Sequence, residues 1–214
     1  MVKKAVQQIM LGKVTADEKS ALKTLKEIKK AGYDGIELNG FMIRPTSLMV
    51  RLLTRVAGMP TGKGGGLDWK SLVKEAGLLV VSIHEDLGMI ENNTDQVIRE
   101  ALEFGTDKVV ITGMYRFDYT DEYEVRKLCQ RLNLAGQKLK ENGIQLLYHN
   151  HNVEFSKLKD RKIDIKTDFM ETNAYGLIIK ETDPDYVNFE MDSYWIADAG
   201  VDPLYVMKKL ENRL

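Results

Sequence analysis

The sequence contains few of the residues that mark an unusual environment. Its single cysteine, Cys129, has no partner in the chain, which excludes an internal disulfide and leads us to expect a reducing cytoplasm. No apolar run approaches the ~18–20 residues that cross a bilayer, and the short apolar segment near the N-terminus lacks a small-residue cleavage site. The 31 basic and 32 acidic residues leave a net charge of −1, without the basic excess of a nucleic-acid-binding surface. We therefore expect a cytoplasmic protein that binds neither membranes nor nucleic acid.

The composition is sufficient for a substantial core. Of the 214 residues, 43% are hydrophobic and 29% are charged, which is typical of globular rather than disordered proteins. A chain of this length buries roughly 70% of the surface that it exposes when unfolded. One domain over residues 1–214 is expected.

Short apolar runs alternate with amphipathic stretches along the whole chain. Strands are predicted at Val6–Leu11, Gly35–Asn39, Leu78–His84, Lys108–Gly113, Ile144–Asn150 and Val187–Asp192. Helices are predicted at Ala16–Ala31 (capped by Thr15), Asp68–Ala76, Thr94–Phe104, Asp121–Asn142 and Pro203–Leu210. Strands that alternate with helices are typical of parallel sheets with right-handed crossovers, so we predict an α/β fold.

The longest interruption of this pattern is an insertion at residues 41–67, after the second predicted strand. We predict a helix at Ser47–Ala57 and a surface loop at Gly62–Gly66 within it. The glycine-rich loop follows a helical segment and a Met59-Pro60 turn rather than a strand, which argues against a Rossmann motif or a P-loop. If the fold is a barrel, this insertion lies on the face where an active-site lid would lie.

Six predicted βα units leave two architectures open. A complete (β/α)₈ barrel has eight units and about 250 residues. Six parallel strands of a barrel would leave two edges unpaired. The chain is therefore either an open, doubly wound sheet or a barrel that lacks its C-terminal strands.

Histidines and acidic residues collect at the predicted carboxyl ends of the strands, where barrel and open α/β enzymes place their sites. The three histidines are His84, His149 and His151. The acidic residues are Glu37, Glu85, Asp86, Glu154, Glu190 and Asp192. Imidazole and carboxylate groups are suitable ligands for a divalent metal, but their spacing leaves a metal centre and a purely structural role equally open.

The alternation of side chains along a strand sorts these residues by face. His149 and His151 share a face, and Tyr148 points the other way. Glu190 and Asp192 also share a face. We expect Glu190 to join its strand to a helix, and we expect Asp192, which lies further along, to belong to a site.

Four short motifs resemble a known family. They are GIEL at 35–38, SIH at 82–84, YHNHNVEF at 148–155 and FEMDSYW at 189–195. In this order they resemble the sugar phosphate isomerase/epimerase family of the xylose-isomerase-like TIM-barrel superfamily, which also holds inosose dehydratases and type IV endonucleases. The resemblance covers essentially the whole chain and favours a (β/α) barrel over an open sheet.

The resemblance implies an enzyme that moves a proton alpha to the carbonyl of a sugar or sugar phosphate, assisted by one divalent metal ion (Mn, Co, Zn or Mg). It places metal ligands at His149 and Asp192. It implies that the catalytic residues are among His149, His151, Glu154 and His84. It places Glu37, Tyr194 and Trp195 against the substrate.

Two features depart from the family pattern. His149 stands where many relatives carry glutamate, which argues against epimerisation by two glutamates. The family pattern also continues beyond Leu214 into two more strands that bear ligands. We therefore expect a C-terminally truncated form of a longer protein, in which metal binding is weaker and activity is an open question.

Other functions remain to be weighed against an isomerase. A related lyase, similar to inosose dehydratase, differs only in the fate of the deprotonated substrate. A sugar-binding module without catalysis would bind its ligand without turnover. An endonuclease is disfavoured because Trp195 occupies a position where those relatives carry histidine, and because the chain lacks a basic excess. A homodimer is plausible only because homodimers are common among soluble proteins.

Overall fold

The computed structural model describes residues 3–45, 66–114, 116–159, 161 and 167–214. The strands are β1 (Ala5–Gln7), β2 (Gly35–Asn39), β3 (Leu79–Glu85), β4 (Lys108–Thr112), β5 (Gln145–His149) and β6 (Val187–Glu190). The first helices are α1 (Glu18–Lys30), α2 (Gly40–Ile43), α3 (Trp69–Ala76), α4 (Leu87–Asn92) and α5 (Thr94–Phe104). The later helices are α6 (Glu122–Lys140), α7 (Ala174–Glu181), α8 (Ser193–Asp198) and α9 (Pro203–Leu210). The predicted α/β alternation is confirmed.

The start of the chain differs from the prediction. The first strand ends at Gln7, and 3₁₀ turns occupy Gln8–Thr15, with Gly12 at a φ of 45°. A short apolar run does not by itself distinguish a strand from a helical turn. The predicted cap at Thr15 is also wrong, because α1 is capped by Asp17, whose side chain accepts from the Ser20 N–H.

Part of the predicted insertion lies outside the described residues. The predicted helix at Ser47–Ala57 falls there, as do Gly62 to Gly65 of the predicted loop. The chain enters this segment after α2 and leaves it before α3, whose first turn is capped by Asp68 through the Ser71 N–H at 3.0 Å. Within the described ranges, no helix is both long enough and apolar enough to cross a membrane.

The chain forms two compact units, and the first comprises Met1–Glu85 and Arg99–Lys108. Within this unit β2 pairs in parallel with β1 on one side and with β3 on the other. Its core lies between these strands and the helices α1 and α3, and includes Leu25, Ile36, Leu38 and Trp69, each at most 2% exposed. Burial of such side chains contributes roughly 1.5–3 kcal/mol each to folding.

The second unit comprises Asp86–Ile98 and Val109–Leu214. Within it β4, β5 and β6 lie side by side in that order, and β5 and β6 are parallel, with Tyr148 opposite Phe189 and His149 opposite Glu190. Tyr148 and Phe189 are buried, Leu128 of α6 and Ile178 of α7 are fully buried, and Tyr175 of α7 packs its ring 5.6 Å from that of Phe189. This face of the β5–β6 pair therefore meets the helices, and His149 and Glu190 leave the sheet on the opposite face.

Candidate active site

His149 ends β5 and lies between two carboxylates. Its Nδ1 is 2.8 Å from Glu190 Oε1, and its Nε2 is 3.4 Å from Asp192 Oδ2. The imidazole is buried, with 7% of its side chain exposed, while the side chains of Glu190 and Asp192 are 22% and 25% exposed. A neutral imidazole that donates from Nδ1 to Glu190 turns the lone pair of Nε2 towards Asp192. Glu190 was expected to join its strand to a helix, and the partner shown here is His149 on the neighbouring strand.

Asp192 is held in place by two backbone hydrogen bonds to the Asn150 side chain and by its position at the start of a helix. Its N–H donates to Asn150 Oδ1 at 3.0 Å, and its carbonyl accepts from Asn150 Nδ2 at 3.2 Å. Asp192 is also the N-cap of α8, because its Oδ1 accepts from the Trp195 N–H at 3.1 Å. One carboxylate oxygen thus caps the helix and the other lies near His149.

His151 lies beside His149 and against an aromatic side chain. The ring centroids of His151 and His149 are 5.2 Å apart, and those of His151 and Trp195 are 5.5 Å apart. Burial, followed by the electrostatic effect of the neighbouring His149 imidazole, lowers the pKa of His151, while Asp192 acts in the opposite direction. Tyr194 packs its ring 5.1 Å from Trp195 and is 67% exposed. These rings form a partly open wall beside His149.

Glu154 lies on the other side of β5. It sits in a 3₁₀ turn, Val153–Phe155, and is fully buried. Its Oε1 accepts from the Tyr148 hydroxyl at 2.9 Å, and its Oε2 accepts from the His151 backbone N–H at 3.0 Å. Because Tyr148 points towards the helices, Glu154 joins the buried layer, and its hydrogen bond to His151 is made with the main chain.

The first unit brings Glu37 and His84 together. His84 lies on β3 opposite Asn39, two residues beyond Glu37 on β2, and its Nε2 is 3.3 Å from Glu37 Oε2. His84 is 5% exposed. The end of β2 is fixed from the 3₁₀ turns that follow β1, because the side-chain oxygen of Gln8 accepts from the Asn39 N–H at 2.7 Å.

Two acidic residues that follow His84 have structural partners. Glu85 is buried and forms an ion pair with Arg44, which also binds Glu100. A Cβ at Gly40 would collide with the Glu85 carboxylate, so a larger residue there would displace Glu85 from its ion pair with Arg44. Asp86 caps α4 through the Met89 N–H at 2.8 Å.

Sequence reasoning missed the residues that support these groups. Asn150 fixes Asp192, and Tyr119 completes the hydrogen bonds around Tyr148, with their hydroxyls 3.0 Å apart. Asn150 lies inside the YHNHNVEF motif, and an amide side chain can both accept from and donate to a neighbouring backbone. The motif was therefore the signal that could have identified it. Nothing local marks Tyr119, which lies 29 residues from its partner.

Comparison with known proteins links the chain to carbohydrate enzymes in part of its sequence. No protein-family model matches it. An inosose dehydratase from Mesomycoplasma hyopneumoniae (strain 7448) is 29% identical over 96 residues, which cover 45% of this chain and 28% of the dehydratase. The match thus spans less than a third of the length of that curated relative.

Solved structures match the chain over nearly its whole length. A sugar phosphate isomerase/epimerase from Parabacteroides distasonis ATCC 8503 has a TM-score of 0.75 and 24% identity, over 99% of this chain and 72% of that protein. An L-ribulose 3-epimerase has a TM-score of 0.64 and 13% identity, over 100% of this chain and 68% of that protein. Proteins described as xylose isomerase-like TIM barrels are also among the matches. The chain therefore has the xylose-isomerase-like TIM-barrel fold that its motifs predicted.

Proposed function

We propose that this chain belongs to a divalent-metal-dependent isomerase or epimerase that moves a proton alpha to the carbonyl of a sugar or sugar phosphate. One observation carries the proposal. At the carboxyl ends of β5 and β6, where barrel enzymes place their sites, His149 lies between the carboxylates of Glu190 and Asp192.

The residues present fit a divalent metal. His149 Nε2 and Asp192 Oδ2 are nitrogen and oxygen donors 3.4 Å apart, which suits Mn, Co, Zn or Mg to different degrees. Glu190 accepts the Nδ1 proton of His149 in the manner of a carboxylate that orients a metal-binding histidine. A metal held there would act as a Lewis acid towards the oxygens of the substrate.

The protein groups around the donors have separate parts in the proposal. His151 transfers the proton, because among the described residues no carboxylate pairs with its ring, whereas His149 and His84 both have carboxylate partners. A histidine suits this task near neutral pH. Trp195 and Tyr194 provide an apolar wall for a sugar ring. In the first unit, Glu37 in the middle of β2 and His84 near the carboxyl end of β3 form a second polar pair.

A lyase similar to inosose dehydratase is the second candidate. The 29% identity to a dehydratase over 96 residues favours it. Such an enzyme would remove the same kind of proton and then lose a beta hydroxyl instead of returning the proton. The residues proposed here serve both reactions, so product analysis has to separate them.

The test is proton exchange by the 214-residue chain in D₂O. A panel of ketoses, inososes and their phosphates is incubated with Mn²⁺ or Mg²⁺, and deuterium incorporation and products are followed by NMR and mass spectrometry. We expect metal-dependent incorporation that is lost in Asp192→Asn. The matched control is Asp202→Asn, since Asp202 caps α9 through the Leu204 N–H, as Asp192 caps α8.

Each outcome decides between the candidates. Incorporation with an epimer or isomer as product supports the proposal, and loss of water from an inosose supports the dehydratase instead. Binding of a sugar with neither exchange nor a metal requirement would show a module without catalysis. Equal activity of Asp192→Asn and Asp202→Asn would refute the assignment of Asp192.

A further inference from the structure

Two hydrogen bonds converge on a carboxylate that the proposed chemistry does not use. Glu154 is fully buried, yet it accepts from the Tyr148 hydroxyl at 2.9 Å and from the His151 N–H at 3.0 Å. Burial raises the pKa of Glu154, although the hydrogen bonds from Tyr148 and His151 and the charge of His149 lower it. A buried carboxylate without such partners would be strongly destabilising.

The direction of the hydrogen bonds is set by the groups themselves. The Met114 N–H can only donate, and it donates to the Tyr119 hydroxyl at 2.8 Å. Tyr148 gives its single proton to Glu154, so the 3.0 Å bond between the two hydroxyls is donated by Tyr119. The chain of bonds therefore runs from the end of β4 to Glu154 and ends on a group that accepts only.

The backbone after β4 closes over the same group. Gly113 has a φ of 52°, a conformation that favours glycine. A Cβ there would lie 3.3 Å from Glu154 Oε1 and from the Tyr119 hydroxyl, and 3.4 Å from His151 Nδ1. The Glu154 cluster, which consists of Tyr119, Tyr148, Glu154 and the backbone N–H groups of Met114 and His151, is thus packed against the end of β4.

We propose that Glu154 is a positioning residue that holds the His151 imidazole in place through the His151 main chain. β5 ends at His149, so the strand ladder does not fix His151. The hydrogen bond from its N–H to Glu154 fixes it instead, with the ring against His149 and Trp195. The placement of the ring stands on this geometry alone, and its value for proton transfer rests on the proposed function.

The two oxygens of a glutamate can accept hydrogen bonds from both Tyr148 and His151, whereas a glutamine has only one oxygen. In Glu154→Gln, one oxygen can still accept from the His151 N–H, but an NH₂ group then faces the Tyr148 hydroxyl, which already receives the Tyr119 proton. One of these bonds has to break or reverse. The turn that carries His151 is expected to shift.

The chain has only three histidines, which makes their ring signals simple to assign by NMR after single substitutions to glutamine. In Glu154→Gln we expect the ring signals of His151 to move, because the ring changes its distance from Trp195, while those of His84 stay in place. The matched control is Tyr175→Phe. Tyr175 is equally buried on the same side of the sheet, but its hydroxyl has no hydrogen-bond partner among the described residues, so His151 should not respond.

A second variant covers the case in which Glu154→Gln does not fold. Tyr148→Phe keeps the contact from Glu154 to the His151 N–H and leaves the other carboxylate oxygen without its donor. We expect a smaller shift of the same His151 signals. Unchanged His151 signals in a folded variant of either kind, or an equal shift in Tyr175→Phe, would overturn the proposal. The measurement needs neither metal nor turnover, so its failure is distinct from failure of the proposed function.

Discussion

The two faces of the β5–β6 pair carry different chemistry. One face, here called the ligand face, bears His149, Glu190 and Asp192, and the two acidic side chains remain 22% and 25% exposed. The other, the helix face, bears Leu146, Tyr148 and Phe189, which are at most 2% exposed. Both faces contain a glutamate close to an aromatic or imidazole ring, so residue type alone does not distinguish them.

The two faces differ in whether their carboxylates are fully hydrogen-bonded within the protein or still accessible to solvent. On the helix face, both oxygens of Glu154 accept hydrogen bonds from within the unit. On the ligand face, each carboxylate is paired with His149 yet keeps part of its surface open to solvent. A group that is closed off stabilises the fold, whereas a group that is still accessible can bind a ligand.

The largest expected effect tests the helix face. Leu146→Ala should lower the free energy of unfolding by about 2–5 kcal/mol, because it removes a fully buried side chain from the core. Leu147→Ala is the matched control one residue along, on the ligand face, where the side chain is only partly buried. Urea unfolding of both variants measures the difference. Equal losses would mean that the two faces are packed alike.

The next effect tests the ligand face. His149→Gln should weaken Mn²⁺ binding by roughly 100-fold or more, because it removes a proposed ligand. Glu190→Gln should cost roughly 10–100-fold, the usual effect of losing a carboxylate that orients a histidine ligand. Isothermal titration calorimetry gives both affinities, and the melting temperature should change little. A larger loss in Glu190→Gln would show that Glu190 is itself the ligand.

A smaller effect separates the two tasks of Asp192. Asp192→Ala should lose both the cap of α8 and the proposed ligand, and the lost cap costs about 1 kcal/mol of stability. Asp192→Asn should keep the cap and lose only Mn²⁺ affinity, since asparagine is a good N-cap. Parallel urea unfolding and metal titration show whether the two losses separate.

The smallest effect is a change in pH dependence. Because the pKa of Glu154 is raised from 4.5 in the folded state, the folded protein holds this proton to higher pH than the unfolded chain does. The contribution of Glu154 to the free energy of unfolding therefore falls as the pH rises from 4.5 through the raised pKa. Glu154→Gln should flatten this part of the stability profile, measured by urea unfolding at a series of pH values. Glu124→Gln on the surface of α6 should leave it unchanged.

The sequence predicted five of the six strands and the barrel fold, while the first strand is shorter than predicted and the site residues stay a prediction. The alternation of side chains along β5 correctly predicted that His149 and Tyr148 point to opposite faces of the sheet. The four-residue helix α2 was missed, although α3 and α9, with eight residues each, were predicted, so shortness alone does not explain the misses. The helices α4, α7 and α8 were also missed. Their caps at Asp86, Asn173 and Asp192 were the available signal.

What the sequence could not predict depends on contacts between distant residues. Glu190 was placed on its strand and expected to bond to a helix, because the register that sets it opposite His149 is a property of the paired strands. Glu154 was expected in the same pocket as His149. The 3₁₀ turn after β5 brings its side chain to the Tyr148 hydroxyl, where it is fully buried, and the sequence pattern does not reveal this arrangement. Its roles in catalysis and positioning both remain predictions.

Asp192 divides its two oxygens between a helix and a histidine, and this has a consequence for how the protein can evolve. The oxygen that caps α8 also sets where that helix begins, and Tyr194 and Trp195 lie in its first turn. A substitution that repositions the carboxylate to suit another cation would also displace the indole. If Asp192 is the metal ligand proposed above, cation preference and the shape of the aromatic wall are coupled through this one side chain, and a change in either one would have to be compensated in the other.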